Sequence, residues 1–380
     1  MKQTSRIIST YSADVFGVCS ALFELGGMVI MHDASGCNST YTTHDEPRWY
    51  DMDSMVYISG LSEIEAIMGD DEKLIEDIVA AANDLKPKFI AIAGTPIPTM
   101  TGFDFNAVAE LIKERTGIPA FGFSTTGMST YVSGISAALE ILAEHFVSRD
   151  AVKTDYPSAN VLGLTPLDFS VSGADSSIAE FLENAGFNVI SKWVMGSTLE
   201  DILKAGSAHV NLVVSSSGLA AAKILKKLFG TPYVVGAPYG AEFSETVKTA
   251  LFEAAETGED RFPHSNAEGR DIVILGESVT SLSLASALEL SCGKSTQVIC
   301  TTAFGEEILR SKDLAYAWEE EIETEIKNAK AVIADPLFKP ICPDDVKFIE
   351  LPAESFSGRI YRETIPNLVS DFTQFINEVF

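Results

Sequence analysis

The apolar and polar positions of this chain fall into two alternating rhythms. Short runs that are almost wholly apolar and rich in Val and Ile recur along its length. They are KFIAIAGT (88–95), PAFGFST (119–125), NVLGLTP (160–166), HVNLVVSSS (209–217), PYVVGAP (232–238), DIVILGE (271–277), TQVICTT (296–302) and AKAVIADP (329–336). GMVIM, just before His32, is of the same kind. Unbroken apolar runs of strand length that end in Gly, Ser, Thr or Pro predict parallel strands covered on both faces. Between them lie amphipathic stretches such as DDEKLIEDIVAAANDL (70–85), DFNAVAELIKERTG (104–117) and SSIAEFLENAG (176–186). The last two close on a glycine and lead into a strand, as a capped helix returning to a sheet does. SADVFGVCSALFEL (12–25) reads as a helix capped by Ser12.

Strand-helix-strand alternation of this sort predicts doubly wound α/β units. Two polar stretches interrupt it, HFVSRDAVKTDYPSAN (145–160) and TGEDRFPHSNAEGRD (257–271), each followed by a fresh strand. The expectation is three Rossmann-like parallel-sheet α/β domains, 1–155, 156–262 and 263–380, with a ligand cleft between them. The helical stretch SETVKTALFEAAE (244–256) would bridge the last two.

A chain of 380 residues is too long for one compact core, which agrees with this division. Its hydrophobic content of 46% is ordinary, but its net charge of −27 is not. Phosphates would be repelled, so nucleic acid and anionic membrane are excluded as partners, while a basic protein face would be attracted. No window approaches the apolar length of a membrane span, and the N-terminus lacks the apolar core of a secretory signal. Five widely spaced cysteines make a disulfide framework improbable and favour a reducing, cytoplasmic setting.

Candidate chemistry gathers near the N-terminus. Cys37 lies in HDASGCNSTY (32–41), a small polar turn just past the strand run. Ligands of open α/β sheets bind at the carboxyl ends of strands, so this thiol is placed as a ligand or nucleophile would be. Cys19, on an apolar helix face, reads by itself as a small core residue. Together they form C-x17-C with His32 and His44 nearby, which leaves two readings open. One is a zinc or mononuclear iron site completed by a histidine. The other is an iron–sulfur cluster, whose four ligands would require a second chain. Cys292, Cys300 and Cys342 read as structural, and His145, His209 and His264 have no metal-ligand spacing. The chain has no GxxxxGK[ST], GxGxxG or GxSxG motif, so nucleotide hydrolysis and serine-hydrolase chemistry find no support. The turns Gly163-Leu164-Thr165-Pro166 and Gly276-Glu277-Ser278 read as strand-to-helix turns, either plain or able to bind an anion at a helix N-terminus. His44, Arg48 and Trp49 either line a cavity or form a solvated loop.

The order of motifs resembles component 1 of the nitrogenase family, which includes dark-operative protochlorophyllide reductase. HDASGCNSTY is similar to that family's G-P-x-G-C-x-x-Y turn, and Met68-Gly69-Asp70-Asp71-Glu72-Lys73-Leu74 to its G-G-x-x-K-L helix start. GTPIPTMTGFDFNAV (94–108) is similar to its C-P-x-x-x-I-G-D-D segment; VGAPYG (235–240), IADPL (333–337) and SFSGR (355–359) resemble later landmarks. The resemblance implies that Cys19 and Cys37 ligate an iron–sulfur cluster, of the 4Fe-4S type, at the interface between two component 1 subunits. It also implies that a separate ATP-hydrolysing iron protein delivers electrons to a small-molecule substrate in the cleft.

The departures carry as much information. Thr95 stands where the family has a third cysteine, so a symmetric dimer contributing two thiols per chain is the simplest repair, and a related heteromeric subunit the other. Gly36 and Thr95 then lie beside the cluster, with Asp33 or His44 as a non-thiolate ligand. Arg48, Ser215 and Ser216 are candidates for the substrate cleft. By resemblance, Ser215 occupies the position of the cysteine, and Pro352 that of the histidine, which hold the molybdenum cofactor of true nitrogenase. Neither replaces a metal ligand, so that cofactor and dinitrogen reduction are not expected. Two other classes remain: a cofactor-assembly scaffold or carrier, and a non-redox small-molecule-binding α/β module.

Overall fold

The computed structural model describes residues 5–302, 304–316 and 318–379, with the side chain of Cys37 outside the described atoms. Among these residues, thirteen strands form three separate parallel sheets. The first contains β1 (Met28–His32), β2 (Met55–Ile58), β3 (Ile90–Gly94) and β4 (Ala120–Phe123) in the order β2-β1-β3-β4. The second contains β5 (Ser158–Leu164), β6 (Asn188–Val194), β7 (Val210–Val213) and β8 (Tyr233–Val235) in the order β6-β5-β7-β8. The third contains β9 (Ile272–Gly276), β10 (Thr296–Cys300), β11 (Leu314–Ala315), β12 (Ala331–Ala334) and β13 (Lys347–Glu350) in the order β11-β10-β9-β12-β13. Every residue of β1, β3, β5, β7 and β10 is buried, which is why these strands carry no polar alternation.

The helices follow their sequence signals, with one exception. Asp71–Leu85 buries Leu74, Ile75, Ile78 and Ala82 against the Val108, Ala109 and Ile112 stripe of Phe105–Thr116. Asp104 caps the latter by accepting from the backbone N–H groups of Asn106 and Ala107, and Gly117 ends it in the left-handed region at φ 72°. The exception is the first helix, Asp14–Leu22. Its N-cap is Ala13, and the Ser12 hydroxyl bonds to Ser9 instead. The buried Asp14 carboxylate takes over the capping work, accepting from Val15 N and Gly127 N at 2.8 Å and Thr126 N at 2.9 Å. Burial raises this carboxyl above its ordinary range, and the three N–H donors oppose the shift.

Two of those N–H donors belong to the loop before helix Tyr131–His145, which packs against Asp14–Leu22 at closest approach. A Cβ on Gly17 would lie 2.0 Å from the Tyr131 carbonyl oxygen, and one on Gly134 would lie 1.9 Å from the Asp14 carbonyl oxygen. Only glycines let the two backbones come this near. One hydrophobic cluster then runs through all three sheets, from Val29 and Ala91 through Val161 and Val213 to Ile274 and Ile333. Helix Ala241–Thr257 joins it through Phe243, Val247 and Leu251 and packs on helix Ser278–Cys292. Among the described residues, no helix is long and apolar enough to cross a membrane.

The glycine contact gives a direct test. Gly17→Ala or Gly134→Ala must separate the two helices, and overpacking of this severity costs about 3 kcal/mol or more. Urea unfolding of each variant should show an unfolding free energy lowered by that amount, with a lower midpoint; an unchanged midpoint would refute the tight crossing.

Candidate functional site

The cysteine turn sits at the switch point of the first sheet, where β1 and β3 lie side by side and their following segments diverge. His32 ends β1, and Asp33 and Thr95 follow β1 and β3. The Thr95 hydroxyl donates to Asp33 Oδ1 at 2.9 Å, and Asn38 Nδ2 donates to Asp33 Oδ2 at 2.6 Å. Both Asp33 oxygens are thereby engaged, so the residue braces the turn. The Ser59 hydroxyl lies 2.9 Å from His32 Nδ1 and accepts from Asp33 N at 3.1 Å. The His32 ring packs on Phe103 at 4.3 Å, and burial pulls its pKa down to about 4 against the opposing charges of Asp33 and Glu65. Ser35 and Gly36 both take positive φ, 120° and 67°, and turn the chain into the short helix Cys37–Thr40. Cys37 opens that helix, while its side chain lies outside the described atoms.

Cys19 comes from the middle of helix Asp14–Leu22 and is completely enclosed. Burial, with the neighbouring Glu46 carboxylate, raises its thiol far above the ordinary range, so in the isolated chain it is a thiol and not a thiolate. Beside it runs a buried polar network. Tyr41 donates to Glu46 Oε2 at 2.9 Å, and Arg48 donates through Nε to Glu46 Oε1 at 2.7 Å. The same guanidinium reaches Glu24 Oε1 and the Ser20 carbonyl oxygen, each at 2.7 Å, and lies 4.9 Å from the centre of the Phe23 ring. Arg48 is therefore a brace within this network, its guanidinium engaged by Glu46, Glu24 and Ser20. Glu24 extends the network to the second sheet by accepting from Gly196 N at 3.0 Å. His44 is half-exposed and contacts Thr43 and Asp45, and Trp49 is exposed beside Tyr50.

Among the described residues, no three His, Cys, Asp or Glu side chains come together to hold an ion. Cys19 is the one candidate thiol with a described environment, and it is shut in. Two candidate thiols per chain are fewer than the four ligands that an iron–sulfur cluster takes.

A second feature does not depend on the cysteines. The switch points of the second and third sheets face each other across a cavity lined by Tyr131, Asp168, Tyr239, Glu277, Asp335 and Pro352, among others. It is tight, with about 90 Å³ open to the centres of water molecules, room for several waters. A more open cleft adjoins it across Tyr131 and Phe356. Glu277 directly follows β9 and caps helix Ser278–Cys292 by accepting from Val279 N at 3.1 Å and Thr280 N at 2.9 Å. It also accepts from Ser216 N at 2.9 Å, which binds the second sheet to the third. Asp335 directly follows β12 and accepts from Leu337 N and Ala353 N, each at 2.9 Å. Asp168 accepts the Tyr131 hydroxyl through Oδ1; its buried Oδ2 has no well-formed hydrogen bond among the described residues, with the Ser215 hydroxyl its nearby polar neighbour.

Pro352 lines this cavity, but Ser215 and Ser216 do not. Both serines are fully buried; Ser215 Oγ accepts from the Ser217 hydroxyl at 3.0 Å, and Ser216 Oγ has no partner among the described residues. Motif and spacing do not single out Tyr131, Asp168, Glu277 or Asp335. For Glu277 and Asp335 a signal exists, since each is the first residue past an apolar strand run.

Comparison with known proteins adds a family context. The model of the nitrogenase component 1 type oxidoreductases matches residues 14–335. The nitrogenase iron-molybdenum cofactor biosynthesis protein NifE of Clostridium pasteurianum is 28% identical over 209 residues, 53% of this chain and 42% of that protein. A light-independent protochlorophyllide reductase chain of Prosthecochloris aestuarii is 36% identical over 109 residues, 27% of this chain and 20% of that protein. These matches span less than half the length of either relative. A solved structure described as nitrogenase Cp1 at pH 5 shares the fold, with a TM-score of 0.69 at 16% identity, covering 100% of this chain and 90% of that one.

Two measurements check the electrostatics. Arg48→Met would leave Glu46 and Glu24 buried without their cation and should cost about 3–5 kcal/mol in urea unfolding; a loss below about 1 kcal/mol would show that the network is not desolvated. Because His32 is depressed to about 4 in the folded state, the unfolded chain takes up its proton first as pH falls. Its contribution is complete above about pH 6.5 and is lost between there and pH 4, to a limit of about 3 kcal/mol. His32→Gln should flatten that part of the stability profile, and an unaltered profile would exclude His32 as its source.

Proposed function

Since the chain belongs to the nitrogenase component 1 type oxidoreductase family, we propose that it is a component 1-like subunit that takes electrons from an ATP-hydrolysing iron protein and reduces a small molecule other than dinitrogen. The observation that carries this reading is the ordered family match over 14–335 together with the Cys37 turn at the switch point of the first sheet. The lack of a phosphate loop fits an ATP-using partner, and the acidic surface fits a partner with a basic face.

An iron–sulfur cluster would supply one-electron transfer. This reading gives it Cys19 and Cys37 from each of two chains, or these two thiols with donors of a related subunit; the Thr95 and Asp33 side chains engage each other. The substrate site is the cavity at the facing switch points, where Tyr131, Asp168, Tyr239 and Glu277 provide polar groups within an apolar wall. Pro352 on that wall offers no metal donor, which is why a molybdenum cofactor and dinitrogen are left out.

A second reading is a cofactor carrier or assembly protein. The longer stretch of similarity to a cofactor biosynthesis protein favours it, as does the enclosed Cys19.

Iron, acid-labile sulfide and mass should be measured on protein purified without oxygen, beside Cys19→Ser and Cys37→Ser variants. About four iron and four sulfide per dimer, lost in both variants, is expected. Iron-free monomer after reconstitution would overturn the shared cluster. Loaded protein that an iron protein and ATP cannot reduce would favour the carrier.

A further inference from the structure

The cavity wall carries two carboxyl groups in very different circumstances. Glu277 is richly supplied with donors: the N–H groups of Ser216, Val279 and Thr280 and the Ser278 hydroxyl at 3.1 Å all point to its oxygens. Three backbone N–H groups, two of them at a helix start, are what a carboxylate needs when water is excluded. Asp168 receives one well-formed hydrogen bond, from the Tyr131 hydroxyl to Oδ1; the Ser215 hydroxyl is its other polar neighbour, and its buried Oδ2 has no well-formed partner among the described residues. An anion in that position would leave a charged oxygen unsolvated beside a second negative charge, the costliest arrangement available to it. A neutral acid avoids both penalties and retains a proton to give.

We infer that Asp168, steadied by Tyr131 and set beside Glu277, is the general acid of this cavity. The inference rests on the reading that the cavity receives a reducible substrate, and it adds the substrate's class: a molecule with a hydrogen-bond acceptor, such as a carbonyl oxygen or ring nitrogen, at the atom where electrons arrive. As the low-potential one-electron donor protein adds charge to that atom, the O–H bond of Asp168 breaks and the proton bonds to the acceptor. The aspartate left behind keeps the Tyr131 hydrogen bond and regains a proton from water.

The surroundings agree. Burial is the largest influence on Asp168 and the Glu277 charge adds to it, raising the carboxyl to about 7, while the Tyr131 hydrogen bond and the nearby Ser215 hydroxyl oppose the rise. The other titratable groups around it are Tyr239 and Asp335 on the same wall and Glu354 behind Ser170, which is paired with Arg362. Arg362 is the cation of that set, and its guanidinium is turned to Glu354 and to the Asp45 carbonyl oxygen.

Infrared difference spectroscopy across pH tests this on the whole chain without knowledge of the substrate. The expected result is a carboxylic-acid carbonyl band, present at pH 6, that fades with a midpoint near 7 and is missing from Asp168→Asn. Tyr131→Phe removes a hydrogen bond that favours the anion, so its midpoint should move to higher pH. That variant keeps the test alive if the asparagine protein does not fold. A wild-type midpoint in the ordinary carboxylate range, or a band that survives in Asp168→Asn, would overturn the assignment. The outcome is separable from the redox reading. Iron-free protein that carries the band retains the acid and loses the reductase, whereas iron-loaded protein without the band does the reverse.

Discussion

Two helix backbones touching at Gly17 and Gly134 are the constraint on which the rest of the arrangement depends. Helix Asp14–Leu22 carries Cys19, and helix Tyr131–His145 begins with the tyrosine that meets Asp168. Because carbonyl oxygens of each helix occupy the space where the other's Cβ would be, neither can slide or rotate without a clash. The Asp14 carboxylate reinforces the contact by gathering N–H groups from both segments. The cysteine turn and the cavity, which are separate chemical features, are thus referred to one rigid pair.

Acidity is used inside this protein as well as outside. Glu46, Glu24, Glu277, Asp335 and Asp14 are sheltered carboxylates whose donors are mostly backbone N–H groups or a single arginine. Several of them tie together stretches of chain that are distant in sequence. A buried carboxylate with several N–H partners is a strong positional device because its acceptor directions must all be met at once. Asp168 lacks that set of donors, and this contrast marks it out for chemistry.

The strands are the most legible part of the sequence. Parallel strands buried on both faces leave unbroken Val and Ile runs; the runs 88–95, 271–277 and 329–336 each contain one, and 160–166 covers the last five residues of another. The position of the Cys37 turn is legible for the same reason, since the turn follows such a run. Ser12 looks like a cap but is not one, because Asp14 meets N–H groups of residues 126 and 127, a contact that no local pattern announces. Arg48 looks like a cleft or loop residue because HDEPRW is mostly charged or polar and holds a proline. Its burial follows from Glu24 and Ser20, more than twenty residues upstream. Asp168 is invisible in the sequence because its neighbours Tyr131 and Glu277 come from the other two sheets' connections.

The hydrogen bond from Ser216 N to Glu277 has a consequence for traffic into the cavity. It spans the second and third sheets at the point where the cavity lies. Any hinge motion that parts those sheets must strand an N–H group and a carboxylate oxygen, at about 2 kcal/mol. An open form at that cost is rarer than the closed form by a factor of about thirty. Motion at this wall is therefore infrequent, and the open cleft that meets the cavity across Tyr131 and Phe356 is the approach that does not depend on it.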